Sequence, residues 1–172
     1  MKNIILLLTL SLMGISAQAQ KYDRKLLNGR WDLYSMSGDG HRICRDSVKE
    51  NIQSAMKANR ASNPTQVISP TDSIAMIAMA KARMADLFQT YMTFDDKGNT
   101  KVLLGFEKDE NGEMSEETGT YAWTADNKIL QTLGKSTPTV FVIVGLTATT
   151  LEIRPDEEEN TNDMSMSFTR AK

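Results

Sequence analysis

The residue types that most often carry out chemistry are scarce in this chain. His41 is its only histidine and Cys44 is its only cysteine. His41 could titrate or coordinate, but one histidine without partners does not make a metal site. Cys44 could be a reactive or intermolecular thiol, although its spacing to Val48 and Ile52 favours a place on the buried stripe of a helix.

No catalytic motif is present to offset this scarcity. The sequence contains no G-x-S-x-G, no HExxH, no cysteine–histidine couple and no phosphate-binding loop. The run from Asp109 to Glu113 is similar to a calcium loop but lacks the full set of spaced ligands, so a solvated hairpin turn is favoured. We therefore expect a protein that is not an enzyme and that holds no metal and no cofactor.

The first residues have the features of a secretory signal peptide. Lys2 forms a short basic region, residues 4–13 are mainly apolar, and Ala17-Gln18-Ala19 is a cleavage site of the A-x-A type. We expect cleavage after Ala19, export to the periplasm or the medium, and a single domain over residues 20–172. Cys44 lies far beyond the cleavage site, so no cysteine is placed to receive a lipid.

Composition limits the partners of the mature chain. The sequence has 172 residues, with 20 Lys and Arg against 22 Asp and Glu, for a formal charge of −2. Removal of Lys2 with the leader subtracts one positive charge and gives −3. Because no basic patch is present, we expect neither nucleic acid nor an anionic membrane surface as a partner. A transmembrane segment is not expected either, since no apolar run reaches about 20 residues.

The stretch from about residue 42 to residue 89 predicts two helices. Val48, Ile52 and Met56 recur at a four-residue interval, which is typical of one helix face. Ser69-Pro70-Thr71-Asp72 then has the pattern of a helix start, with a capping serine and a proline in the first turn. The second helix is apolar around much of its circumference, so we expect it to be buried on more than one side.

Short segments of alternating apolar and polar residues fill the rest of the chain. One isolated segment carries Gly29-Arg30-Trp31, and seven more follow between Tyr91 and Arg170. Eight antiparallel strands in up-and-down order are what closing a small barrel requires. Residues 140–144 are apolar on both faces, which favours a strand that lies beneath the helical stretch or another covering element.

The first and last of these segments carry a family resemblance. With Gly29-Arg30-Trp31 on the first strand and Arg170 on the last, the chain resembles a lipocalin. It is similar in particular to small exported lipocalin-like domains of Bacteroidetes-type bacteria. The resemblance implies that Trp31 fills the closed end of the barrel and that Arg170 packs across it as a cation–π contact. It departs from the family in the helical insertion between the first two strands.

Ligand binding is the function that this resemblance favours. The inward residues that we expect to line a cavity come from several strands: Phe94, Leu104, Tyr121, Trp123, Phe141 and Met166. The same residues could simply fill the core, because an eight-stranded barrel is only just wide enough for side chains. Two functions remain open: binding or carriage of a small hydrophobic ligand, and a non-catalytic structural or protein-interaction barrel that uses the helical insertion as its contact surface.

Overall fold

The computed structural model describes residues 22–38, 41–62, 69–124, 126–156 and 164–172. The predicted leader, residues 1–19, lies outside these ranges, as does most of the acidic run that follows Asp156. The elements in chain order are β1 (Gly29–Gly38), β2 (His41–Cys44), α1 (Val48–Ser62), α2 (Pro70–Leu87), β3 (Tyr91–Phe94), β4 (Asn99–Leu103), β5 (Glu116–Trp123), β6 (Lys128–Leu133), β7 (Thr139–Leu146), β8 (Thr150–Pro155) and β9 (Ser165–Arg170).

Strands β1 and β3 to β9 form a closed antiparallel barrel. Each of β3 to β8 pairs with the next strand in the chain, and β1 pairs with both β3 and β9 to close the ring. The predicted eight-stranded up-and-down barrel is therefore confirmed. Alternation explains the arrangement, because one face of each strand supplies the apolar side chains of a single core.

The helical insertion lies between β2 and β3, close to the position that the sequence predicts. β9 occupies one edge of β1, while β3 pairs with residues 29–32 and β2 with residues 35–38 on the other edge. β2 and β3 therefore lie one after the other along the same edge of β1. Residues 45–90 form the connection between these two strands. The Leu33 amide donates to Thr90 O at 2.9 Å where the chain returns.

Cys44 is the last residue of β2 and is partly buried. The prediction that it lies on a helix was wrong, because backbone pairing of Cys44 with Ser35 extends the β1 hairpin up to that residue. A four-residue strand has too short an alternating pattern to be recognised in a sequence that becomes helical immediately afterwards.

Both helices are present, and the Ser69 hydroxyl accepts from the Asp72 amide at 3.1 Å, as the capping pattern predicts. The prediction that α2 is buried on more than one side was wrong. Ile74 is 70% exposed and Met79 is 59% exposed. Only the last turn of α2, with Met84 and Leu87, packs against the barrel core.

The cover over β7 comes from an element other than the helical stretch, the second alternative that the sequence leaves open, and it is partial. Val144 is 42% exposed, and the contact there comes from the N-terminal segment, where the Tyr22 hydroxyl donates to Val144 O. An apolar pattern shows that a strand prefers burial but does not identify the element that covers it. Among the described helices, none is long and apolar enough to cross a membrane.

Candidate functional site

The two ends of the barrel differ in construction. The end that carries the turns after β3, β5 and β7, together with Arg170, is the closed end. A 3₁₀ turn at Arg24–Leu27 lies against it, and its Leu27 is fully buried. The opposite end carries the connections after β1, β4, β6 and β8, and we call it the open end.

The closed end is built around Trp31 and Arg170, which the strand register places opposite each other. The Arg170 guanidinium carbon lies 4.3 Å from the centre of the Trp31 ring. The Trp31 indole N–H donates to Leu27 O at 2.7 Å, so this large side chain is buried with its one polar atom satisfied. The structure thus brings together the two residues that the resemblance pairs.

Gly29 leaves the space that the arginine occupies. A β-carbon at this position would lie 2.7 Å from Arg170 Nη1, and the backbone has φ = +123°, which side chains rarely tolerate. The glycine, the tryptophan and the arginine therefore form one structural unit. Its geometry holds the closed end of the barrel together.

The six residues expected to line a cavity all belong to one hydrophobic core or pack against it. Phe94 ends β3, Tyr121 lies two residues before the end of β5, and Trp123 ends β5, so all three lie towards the closed end. Leu104 follows β4 and Met166 lies near the start of β9, so these two lie towards the open end. Phe141 pairs with Ile129, which pairs on its other side with Trp123. Alternation predicts which face a residue occupies but not its height along the barrel, so the six residues are spread along the core.

Phe94 and Tyr121 are packed as part of the core. Their rings meet edge to face with centres 5.0 Å apart, and they are 3% and 5% exposed. The Tyr121 hydroxyl donates to Asp95 O at 2.6 Å, and burial raises the pKa of this phenol. Trp123 is partly buried, and its indole nitrogen makes no hydrogen bond with any described residue.

Three of the six residues are only partly buried against this core: Leu104, Phe141 and Met166. The space beside Leu104 is small, about 10 Å³, and Val102, Glu117 and Leu133 also line it. A volume of this size holds roughly one water molecule. The space beside Leu104 is therefore too small to hold a ligand.

A larger pocket lies at the open end between the β1–β2 hairpin and the start of β9. Its volume is about 220 Å³, and its apolar walls come from Met36, Ile43 and Met164. Met36 pairs with Ile43 on one side and with Met166 on the other, so these side chains share one face of the sheet. Sequence reasoning missed the pocket because β2, which contributes Ile43, was assigned to the helical stretch.

Polar groups at this pocket are few. Ser37 lines it and makes a hydroxyl–hydroxyl hydrogen bond of 2.7 Å with Ser165, while His41 is exposed at the rim. Within the described ranges, no three His, Cys, Asp or Glu side chains gather as metal ligands would. The arrangement offers apolar contact and a few hydrogen bonds to a bound molecule.

Comparison with known proteins gives similarity at the level of structure. No protein-family model and no curated protein matches the sequence. A lipocalin-like protein from Bacteroides uniformis is 13% identical, with a TM-score of 0.44, over 86% of this chain and 99% of that one. A DUF4847 family protein from Bacteroides vulgatus is 12% identical, with a TM-score of 0.48, over 86% of this chain and 95% of that one.

Proposed function

We propose that this protein is a non-catalytic binding protein that takes a small, largely apolar ligand at the open end of its barrel. The observation that carries the proposal is the pocket of about 220 Å³ walled by Met36, Ile43 and Met164. Methionine side chains adapt to ligands of different shape because they are unbranched and polarizable. Exclusion of water from these walls and from the ligand supplies the binding free energy.

The pocket volume limits the ligand. Pockets for drug-sized molecules usually measure roughly 300–1,000 Å³, so a ligand held here is small or extends beyond the strands. The Ser37–Ser165 hydroxyl pair and His41 can orient one polar group of that ligand, since each can donate or accept a hydrogen bond. Met166, which pairs with Met36, continues the partly buried apolar surface towards the barrel interior.

A titration with the neutral fluorescent probe N-phenyl-1-naphthylamine tests this proposal. We expect saturable binding, and we expect Met164→Gln to weaken it about five- to tenfold because a polar amide replaces the apolar wall. Met79→Gln on α2 is the matched control, since Met79 is 59% exposed and far along the chain from the pocket. Equal affinity of both variants, or no saturable binding to folded protein, contradicts the proposal.

Export of the protein belongs to the same proposal. The basic Lys2, the apolar run and the Ala17-Gln18-Ala19 site support a leader that is removed after Ala19. The intact mass of protein recovered from the periplasm or medium of the producing cell should correspond to a chain that begins at Gln20. Recovery of only the uncleaved chain from the cytoplasm contradicts export.

A further inference from the structure

Helices α1 and α2 enclose a second apolar space, separate from the barrel. Val48, Ile52 and Met56 of α1 and Ile77 of α2 line a groove of about 400 Å³. This volume lies within the range of pockets that hold small organic molecules. None of these four side chains takes part in the open-end pocket.

The sequence explains why the groove is not filled. The residues of α1 recur every four positions and form a continuous apolar stripe, of which Ile52 is only 4% exposed. α2 lines the groove only with Ile77 and, one turn later, Lys81, while its other large apolar residues point elsewhere, with Ile74 70% exposed. One helix therefore offers a full stripe and the other a single apolar side chain.

The polar side of the groove consists of Gln53 and two lysines, Lys49 of α1 and Lys81 of α2. Neither lysine forms an ion pair with any residue in the described part of the chain. A lysine can lay its apolar stem along such a groove while its ammonium group remains in water. The groove thus combines an apolar wall with two unpaired positive charges, one from each helix.

We propose that this groove binds a single-chain aliphatic carboxylate. The hydrocarbon chain lies along Val48, Ile52, Met56 and Ile77, and the carboxylate is held by the ammonium groups of Lys49 and Lys81. Charge complementarity selects an anionic amphiphile over a neutral one, because both charged groups at the groove have the same sign. The groove shares no lining residue with the open-end pocket, so this proposal does not depend on ligand binding at that pocket.

Isothermal titration with dodecanoate and with dodecanol, its uncharged counterpart, tests the role of the lysines. We expect Lys49→Met/Lys81→Met to weaken dodecanoate binding about tenfold, since one exposed ion pair accounts for roughly two- to fivefold. Dodecanol binding should stay unchanged in this variant. Lys57→Met is the matched control, because Lys57 is an exposed lysine of α1 that does not line the groove.

A second pair of variants tests the apolar wall. Ile77→Ala should weaken the binding of dodecanoate and of dodecanol alike, by about tenfold. Ile74→Ala, the same substitution three residues earlier on an exposed side of α2, should leave both unchanged. Circular dichroism shows whether either variant loses helical content. If Ile77→Ala unfolds the helices, the double lysine variant still tests the proposal.

Three results would overturn the proposal. They are unchanged dodecanoate binding in the double lysine variant, equal effects of Ile77→Ala and Ile74→Ala, and apparent binding that reflects only self-association or attachment to lipid vesicles. Met164→Gln distinguishes this site from the open-end pocket, since it should leave dodecanoate binding in the groove unchanged. Failure of the neutral probe to bind would therefore count against the open-end pocket and not against the groove.

Discussion

At the scale of single residues, the Arg170 side chain donates hydrogen bonds to three backbone carbonyl groups. Its Nε donates to Ala148 O at 2.7 Å, its Nη1 donates to Asn28 O at 2.5 Å, and its Nη2 donates to Leu26 O. A guanidinium presents its donors in one rigid plane, which leaves its face free to lie on the Trp31 ring. A lysine has a single ammonium group and no planar face, so it cannot make these three hydrogen bonds and stack on the Trp31 ring at the same time.

Loss of the Trp31 side chain should be severely destabilising. Trp31 is fully buried, and its ring supports Arg170 as well as the neighbouring core. We expect Trp31→Ala to lower the free energy of unfolding by about 3–5 kcal/mol, measured by urea denaturation. A change below about 1 kcal/mol would show that the closed end does not depend on this residue.

Gly29→Ala tests the space reserved for the arginine. The new methyl group would lie 2.7 Å from Arg170 Nη1 at φ = +123°, so we expect a loss of at least about 1–3 kcal/mol in thermal or urea unfolding. Gly112→Ala is the control, because it has φ = +79° but nothing within 4 Å of its added carbon. Equal losses in the two variants would mean that backbone strain alone, without the arginine contact, explains the effect.

The side-chain pair of Trp31 and Arg170 could be anticipated from sequence, while its backbone partners could not. The Gly-x-Trp pattern and an arginine ending the last strand are visible in the chain, and register places them opposite each other. The carbonyls that receive the guanidinium belong to Leu26, Asn28 and Ala148. Because every residue has a backbone carbonyl, residue type does not show which carbonyls will accept these hydrogen bonds, and only the structure identifies them.

At the scale of elements, strands were easier to predict than the contacts of the helices. All eight barrel strands were identified, seven by alternation, because a half-buried strand must alternate to keep one face in the core, and β7 by its continuous apolar run. The short strand β2 was not predicted. The exposure of Ile74 and Met79 contradicts the burial that was expected for α2. A helix that is apolar all round predicts burial only if a partner exists for each face, and the sequence does not specify that partner.

The β3–β4 turn should contribute stability that depends on pH. Hydrogen bonds from the Asn99 side chain and backbone, at 2.7 and 2.8 Å, and from the Lys97 amide hold the pKa of Asp95 below its ordinary value. Because the folded-state pKa is lowered, the contribution is complete above the unfolded-state pKa and is lost as pH falls through the folded-state pKa. Asp95→Asn should therefore destabilise the barrel at pH 6 more than at pH 2.

Urea unfolding of both proteins at several pH values measures this difference. Asp96→Asn is the control in the same turn, since the Asp96 carboxylate accepts no hydrogen bond from the described turn residues. A destabilisation by Asp95→Asn that is the same at pH 2 and pH 6 would show that the charge of Asp95 does not matter to the turn.

At the scale of the whole molecule, one core fills the barrel. Trp31, Leu33 and Phe168 are fully buried, as is Ile153 opposite Met166, while Phe141 and Met166 are only partly buried. This packed core accounts for stability in a domain whose one cysteine cannot form an internal disulfide. The open end keeps apolar surface that a ligand can cover.

The candidate site was predictable in kind but not in position. Composition and alternation pointed to apolar side chains of the strands, and two of the six expected residues, Leu104 and Met166, lie towards the open end. The pocket itself depends on Ile43, which faces Met36 only because β2 folds back on β1. Such a contact depends on tertiary pairing, which residue spacing along one segment does not encode.

Methyl resonances of the methionines, followed by ¹³C NMR during titration with N-phenyl-1-naphthylamine, test the central claim most directly. Met36, Met164 and Met166 lie at the open end, Met92 is 3% exposed within the core, and Met56 lines the interhelical groove. We expect saturable shifts of the three open-end methyls, with Met92 and Met56 unchanged. No shift at the open end under saturating probe, or a shift of Met56 alone, would contradict the claim that this end of the barrel binds an apolar ligand.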